Sequence, residues 1–386
     1  MDARAIRGAG PDGARRRSGP RSGTAHGTDP RAAPDRSGAP TGAARPAPPP
    51  APGRRETDAG TTANPTRKAD TTGHGDGARG GTATRRGRRT AAVAAATATV
   101  MLVAAVSPSG PGNLFGLLQT FLPWLGLGVP ALLALAAIRR APLAAVAVLL
   151  PAAAWCLLFG GLLTDKHADD GDVTVVSHNV HDGNPDPRGT AHDLAASGAG
   201  LLALQELTSR TTPAYEKALA GDYPYHVVRG TVGVWSTYPL RDPEPVEIMP
   251  WTRALRVTAD TPKGPLAVYV AHLASVRVSL GGGFATQRRD EAAAKLAEAV
   301  RAEPLPRVVV AGDLNGTPDD TSLRPLTGHL RSAQRTAGQG FGFTWPAAFP
   351  VARIDQILVR GVTPTASSTL PRTSSDHLPV TASLRL

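Results

Sequence analysis

Between Thr90 and Leu163 the chain carries only two charged side chains, Arg139 and Arg140, and this scarcity constrains its architecture more than any other feature. Three stretches, roughly Thr90–Ser107, Leu114–Ile138 and Ala141–Leu163, hold no charge at all. A bilayer core needs about 20 apolar residues per spanning helix. Three such runs in close succession predict three transmembrane helices over residues 90–163, with buried helices of a soluble core as the competing reading. The first run is the weakest, because its Ala residues are only mildly favourable in lipid. A cleaved signal peptide fits it poorly, since 89 residues precede it and two more apolar runs follow. The single cysteine, Cys156, lies in the third run and can form neither an intramolecular disulfide nor a thiolate zinc site.

The net charge of +11 resembles that of a nucleic-acid binder until it is located. Residues 1–89 hold 18 Lys+Arg against 8 Asp+Glu, whereas residues 171–386 hold 21 against 20. The basic signal therefore belongs to the tail. A domain that gathers the phosphates of a duplex should be more basic than residues 171–386 are, so nucleic acid is the less favoured partner. Residues 1–89 are rich in Gly, Pro, Ala, Ser, Thr and Arg, with few large apolar side chains. Such a segment cannot bury enough surface to offset its ordering entropy, which predicts a disordered tail.

Positive residues orient membrane segments, since Lys and Arg accumulate on the cytoplasmic side. The cluster Arg85, Arg86, Arg88 and Arg89 precedes the first run, and Arg139-Arg140 separates the second from the third. The loop Ser107–Asn113 has no charge, and the segment after Leu163 is net acidic. All four signals predict a cytoplasmic N-terminus and a C-terminal domain outside the cell. The expected location is thus a multi-pass protein of the cell membrane, with the lipid bilayer as its first partner.

After Gly171 short β-rich runs alternate with turns. Strands are expected at Val173–Ser177, Leu201–Gln205, Gly233–Ser236, Leu266–Ala271, Val308–Ala311, Gln356–Val359 and Val380–Leu384. Helices are expected at Gly189–Ser197, Pro213–Ala220 and Gln287–Arg301. That texture over residues 171–386 indicates a layered α/β domain.

Polar residues sit where these runs end. Asn179 follows VTVVSH, Glu206 follows LLALQ and His272 ends LAVYVAH. Asp313 and Asn315 end RVVVAGDLN, Asp355 opens DQILV, and Asp376-His377 precede the last strand. Each has an unremarkable alternative when taken alone. Asn179 and Asn315 also suit turns, Glu206 a helix start, Asp376 an N-cap and His272 a satisfied core position. Together they suit phosphoryl chemistry. A hard divalent ion, Mg²⁺ or Mn²⁺, takes carboxylate oxygens, which nominates Glu206 and Asp376 with Asn179 as a neutral donor. Asp313 would orient or deprotonate a water, and Asn315 would position phosphate. His272 and His377 would stabilise charge or carry the leaving-group proton, with Asp355 fixing the His377 tautomer.

This ordered series, Asn, Gln-Glu, His-Leu, Gly-Asp-Leu-Asn, Ile-Asp and Ser-Asp-His-Leu-Pro, resembles the endonuclease/exonuclease/phosphatase superfamily over about Val173–Leu384. The segments Gly233–Leu240 and Thr344-Trp345-Pro346 are also similar. The resemblance implies a DNase I-like four-layer α/β sandwich, two packed mixed β-sheets flanked by helices. It further implies a metal-dependent phosphoric-ester hydrolase with the eight residues above at its motif positions. One departure stands out: two residues after Asn179 the sequence has His181, with Asp182 beside it. An Arg-rich tail, three membrane helices and this domain outside, together with NVHDGNPDP at Asn179–Pro187, are similar to VanJ-type membrane proteins linked to teicoplanin resistance. That narrower resemblance implies a lipid-linked phosphate or pyrophosphate at the outer membrane surface as substrate. An extracytoplasmic nuclease and a non-catalytic resistance or binding protein are the alternatives.

Overall fold

The computed structural model describes residues 76–108, 114–168, 171–279 and 283–386. Residues 1–75, most of the tail expected to be disordered, lie outside the described residues. The rest of that tail departs from expectation, because helix α1 spans Asp76–Val106 and so begins well before the apolar run. Thr90 Oγ1 donates to Arg86 O at 3.1 Å, one turn back, so the helix is continuous through the basic cluster.

The apolar region does not form three plain helices. Two helical segments, Thr84–Val106 and Pro142–Leu162, are long and apolar enough to cross a bilayer. The expected second helix, Leu114–Ile138, is broken into α2 (Leu114–Thr120), a 3₁₀ segment (Leu122–Leu127) and α3 (Gly128–Ile138). Pro123 lacks the N–H that a continuous helix would use at that position, and Gly126 and Gly128 lower helix propensity around it. The chain then continues through α4 (Pro142–Ala147) and α5 (Leu149–Phe159).

These segments run alternately. At one end Arg139 Nη1 donates to Thr90 Oγ1 at 2.8 Å, joining the end of α3 to the basic half of α1. At the other end all three segments touch the C-terminal domain. Gln119 Nε2 donates to Ala104 O and Ser107 O, and Gln119 Oε1 accepts the Thr321 N–H at 3.1 Å. Trp124 Nε1 donates to Val351 O at 2.8 Å, and the Gly340 N–H donates to Leu162 O at 2.6 Å. The arginines at 85–89 and 139–140 thus lie at the end remote from the domain.

The domain begins with β1 (Val173–Asn179), α6 (Pro187–Ala195), β2 (Leu201–Gln205) and α7 (Thr212–Leu219). Strands β3 (Tyr225–Arg229), β4 (Val232–Ser236), β5 (Leu240–Pro245), β6 (Ala254–Thr261) and β7 (Gly264–His272) follow. A short ribbon, β8 (Arg277–Ser279) with β9 (Gly283–Ala285), leads to α8 (Gln287–Ala302) and β10 (Val308–Asp313). Next come β11 (Arg331–Ser332), β12 (Asp355–Arg360), β13 (Thr363–Thr369) and β14 (Val380–Arg385). Two six-stranded mixed sheets result, in the orders β13-β14-β1-β2-β4-β3 and β11-β12-β10-β7-β6-β5.

The pleat explains how they pack. Alternate residues point to opposite faces. In β7, Leu266, Val268 and Val270 enter the core between the sheets with Val175, Val234 and Ile357, while Ala267, Tyr269 and Ala271 pack beneath α8. The outer face of the first sheet packs Leu202 and Leu204 against α6 and α7 through Leu194, Tyr215 and Leu219. The layers are therefore helix, sheet, sheet and helix, as expected. Burying each Val or Leu contributes about 1.5–3 kcal/mol, so the inner strands read as continuous apolar runs. Besides the short β8, β9 and β11, strands β3, β5, β6 and β13 go beyond the strands expected from the sequence. All four mix polar with apolar residues; β3, β5 and β13 are edge strands and β6 lies beside one.

Candidate active site

Strand direction brings the polar residues together. Strands β1 and β2 are parallel, with Asn179 opposite Gln205, so both finish at one edge of the first sheet. Strands β7 and β10 are parallel with His272 opposite Asp313, and antiparallel β12 places Asp355 opposite Asp313 on its other side. His272, Asp313 and Asp355 thus share one rung, on strands spaced about 4.8 Å apart. The loop before β14 reaches the same edge, because Ser375 Oγ donates to Asn179 O at 2.7 Å and accepts the His377 N–H at 3.1 Å.

Asp313 is the hub and is buried. Its Oδ1 accepts the Asn315 N–H at 2.9 Å, and its Oδ2 accepts from Asn179 Nδ2 at 3.0 Å and Asn315 Nδ2 at 3.3 Å. His272 Nε2 lies 3.6 Å from the same oxygen and His377 Nε2 lies 3.9 Å from it. Burial, then the neighbouring Asp355 charge, raises the Asp313 carboxyl above the usual carboxylate range; His377, the Asn315 N–H and Asn179 offset part of this. Asp355 Oδ2 meets His377 Nδ1 at 2.9 Å. Burial alone would lower the His377 imidazole, but Asp355, with Asp313 and Asp376, raises it to about 10. His377 is therefore cationic at neutral pH, and its Nε2 faces Asp313.

The other half of the site is more open. Glu206 Oε1 accepts from Asn179 Nδ2 at 2.9 Å, and its Oε2 accepts the Asp182 N–H at 3.0 Å. His181 Nδ1 lies 3.4 Å from Asp376 Oδ1, 3.9 Å from Glu206 Oε2 and 4.0 Å from Asp182 Oδ1. Three carboxylates therefore gather around one imidazole. His181, Glu206 and Asn315 all have positive φ, at 64°, 62° and 47°. Non-glycine residues rarely hold that conformation, and here the surrounding hydrogen bonds fix it at the site edge.

The structure brings all eight sequence-derived residues to this edge. Two differ in detail from their expected roles. The Asn179 amide turns its nitrogen to Glu206 and Asp313, while its oxygen accepts the His181 N–H at 3.0 Å. His272 has a pKa lowered well below the usual value, by burial first and then by the Arg253 and His377 charges. It is neutral, and its Nε2 is in contact with Arg253 Nη2. Arg253 donates there only if the ring proton sits on Nδ1, which leaves His272 no proton to give at Nε2.

Arg253 and the pair His181-Asp182 are what sequence reasoning left without a role. Arg253 immediately precedes β6, a strand the sequence pattern did not reveal, and its backbone oxygen accepts the His272 N–H at 2.8 Å. Burial, opposed by Asp313 and Glu206, lowers its pKa, yet a guanidinium remains charged. Its Nε is buried without a hydrogen-bond partner, as is Asp355 Oδ1. The sequence offers only one arginine ahead of Ala254-Leu255-Arg256-Val257, too mixed a run to announce a strand.

The residues present fit a divalent metal. Hard cations take carboxylate oxygens. Glu206, Asp182 and His181 offer ligand atoms within 4.8 Å of one another, and Asp376 adds a further carboxylate beside His181. A second compact group, Asp313, Asp355 and His377, also lies within 4.8 Å, but its atoms are already committed to each other.

A two-sheet α/β sandwich with buried Asp–His pairs beside an acidic cup defines a phosphoesterase class of protein. The chain belongs to the endonuclease/exonuclease/phosphatase family, whose profile matches residues 176–377, and members of that family hydrolyse phosphoester bonds. No curated protein matches the chain. Among solved structures, a humanized D. rerio TDP2 bearing 14 mutations is 18% identical, covering 55% of this chain and 99% of its own, with a TM-score of 0.47. An endonuclease/exonuclease/phosphatase from Beutenbergia cavernae is 20% identical, covering 55% and 71%, with a TM-score of 0.45. A mannosyl-6-phosphatase from Bacteroides thetaiotaomicron is 18% identical, covering 55% and 100%, with a TM-score of 0.46.

Proposed function

We propose that this protein is a membrane-anchored, metal-dependent phosphoesterase whose catalytic domain lies outside the cell and hydrolyses a lipid-linked phosphate or pyrophosphate. The observation that carries the catalytic part is Asp313, held by Asn179 and Asn315 and faced by His272 and His377 within 3.9 Å. Asp313 orients the attacking water and takes its proton. The water oxygen forms a bond to phosphorus as the bond to the leaving oxygen breaks, and that oxygen leaves with the electron pair and takes a proton from cationic His377. Cationic His377, fixed by Asp355, and Arg253 face the charge that develops on the phosphate oxygens. Asn315 positions the phosphate. Glu206 and Asp376, with His181 and Asp182, would hold Mg²⁺ or Mn²⁺, and a bound divalent ion neutralises phosphate charge and lowers the pKa of a bound water.

Three observations support the membrane part. The apolar segments run alternately, with their arginines at the end remote from the domain, which is the distribution the positive-inside rule requires for an external domain. The middle segment, Leu122–Ile138, is apolar and holds no charged side chain, although it is shorter than the other two. Aromatic side chains at the domain surface, Trp251 at 51%, Trp345 at 40% and Phe349 at 71% exposed, suit an interface better than a phosphate backbone. The VanJ-type resemblance adds glycopeptide resistance as the physiological reading.

Two experiments test this. The full chain, reconstituted in lipid with Mg²⁺ or Mn²⁺, should release phosphate from a polyprenyl pyrophosphate or from phosphatidic acid and leave DNA intact, and Asp313→Ala should release none. Equal rates in both proteins would remove the catalytic assignment. A reporter active only outside the cytoplasm, fused after Leu386, should be active, and silence would overturn the orientation.

A further inference from the structure

We infer that the cavity between the apolar segments and the loop Phe341–Val351 holds the hydrocarbon chain of the phosphate substrate. This rests on the phosphoesterase reading above and names what that site recognises besides phosphate. The cavity measures about 430 Å³. That is within the roughly 300–1,000 Å³ usual for ligand pockets. Its walls are Trp124 and Val129 from the broken segment, Ala152 and Trp155 from α5, and Phe341 and Phe343 from the catalytic domain. These are apolar side chains, and an apolar chain is the ligand chemistry that such walls take.

The cavity has a built structure. Trp124 stacks on Phe343 at 5.5 Å, Phe343 on Phe341 at 5.1 Å, and Phe341 meets Trp155 at 6.1 Å. Aromatic rings thus run from α5 through the catalytic loop to the 3₁₀ segment. The hydrogen bond from Trp124 Nε1 to Val351 O pins the segment to the far end of the same loop. Trp124 lies within the break itself, in the 3₁₀ segment and one residue after Pro123.

The same loop reaches the catalytic residues. Phe343 is followed by Thr344, whose Oγ1 accepts the Ile354 N–H at 3.2 Å and the Asp355 N–H at 3.4 Å. Thr344 O accepts the Leu378 N–H at 2.8 Å, and the Ala347 N–H donates to Asp376 O at 2.7 Å. One loop therefore presents apolar rings to the cavity and hydrogen bonds to Asp355, Asp376 and the residue after His377. Exposed Trp345 and Phe349 extend its apolar surface outward. A lipid with its chain among Phe341, Phe343 and Trp155 would carry its phosphate toward that edge.

Cys156 lines the cavity and is the chain's single cysteine, so it allows the cavity to be filled in protein that is already folded. The full chain in lipid nanodiscs with Mn²⁺ is titrated with inorganic phosphate and with alkyl phosphates from butyl to decyl. It is then titrated again after labelling with N-cyclohexylmaleimide, with Cys156→Ser treated identically as the control. Each methylene buried should tighten binding about fourfold until the cavity is full. Labelling should weaken decyl phosphate at least tenfold and leave butyl phosphate within twofold. Ala152→Phe should do the same. Equal loss for both chains, no loss for either, or affinity that is independent of chain length because bilayer lipid fills the cavity would overturn the inference. If phosphate binds to wild type and weakens in Asn315→Ala while chain length has no effect, the catalytic reading stands and only the cavity assignment falls. If inorganic phosphate binds neither protein, the catalytic reading itself fails.

Discussion

The site has two halves built on different sheets. The half on the second sheet, Asp313 and Asp355 with His377 brought in by the loop, is buried, and its side chains are paired with one another. The half on the first sheet, Glu206 with His181, Asp182 and Asp376, is open to solvent and holds three carboxylates around one imidazole. Asn179 lies between them and donates to one carboxylate of each. Burial sharpens every electrostatic interaction, because the local dielectric is low, and it makes an unpaired charge costly. Under the proposed function, proton handling therefore belongs in the buried half, where charges are fixed. Cation exchange belongs in the open half, where ligands remain reachable. The two halves should respond to different measurements.

Asp313→Ala gives the largest expected effect. Removing a positioned base costs about 10²–10⁴-fold in kcat, and here the same change also loosens Asn179 and Asn315. Metal affinity by calorimetry should hold within a few-fold. A matched collapse of both would merge the two halves into one. Asp355→Asn should lower kcat by roughly 10–100-fold through misplacement of His377, and restoration of the rate by Asp355→Glu would identify positioning as the cause. Glu206→Gln reverses the pattern. Mn²⁺ binding should weaken by at least tenfold, and the rate should recover in part as Mn²⁺ is raised. A rate that stays low at saturating Mn²⁺ would place Glu206 with the buried half.

How much of this was legible follows from what ends a strand. Asn179, Glu206, His272, Asp313 and Asp355 each interrupt an apolar run, and a polar residue at the end of a buried strand is visible in sequence. Asp376-His377 could be read for the same reason, ahead of β14. Arg253 could not, because β6 and its register with β7 follow from tertiary pairing, and its own Arg-Val-Thr-Ala-Asp stretch carries no clear apolar run. The convergence of three acids on His181 depends on positive φ at His181 and Glu206, which no pattern announces. The apolar region misled in the opposite sense. Composition gave Leu114–Ile138 as one helix, yet Gln119 and Trp124 bond to Thr321 and Val351, which are 202 and 227 residues away in the sequence. Local hydropathy carries no record of such contacts.

A carboxylate outside the site supplies the baseline for the buried half, and its effect should be the smallest. Glu303 is bound by Arg256 through two hydrogen bonds of 3.0 Å and accepts from Tyr269 at 2.8 Å, tying the end of α8 to the second sheet. Burial opposes ionisation there, but Arg256, the Leu305 N–H and Tyr269 more than offset it and hold the carboxyl below its ordinary 4.5. A depressed carboxylate pKa gives stability that is fully present above the ordinary value and is lost as the pH falls through the folded one. Thermal unfolding of the wild type should therefore weaken progressively below about pH 4.5. Glu303→Gln should cost about 1.5–3 kcal/mol at pH 7 and flatten that acid limb, with kcat unchanged. Asp313 has the opposite sign, since its folded pKa is raised, so its charge opposes folding at neutral pH instead of supporting it. An acid limb in Glu303→Gln as steep as in wild type would mean that other carboxylates set it. The contrast between a carboxylate placed for stability and one placed for chemistry would then need a different baseline.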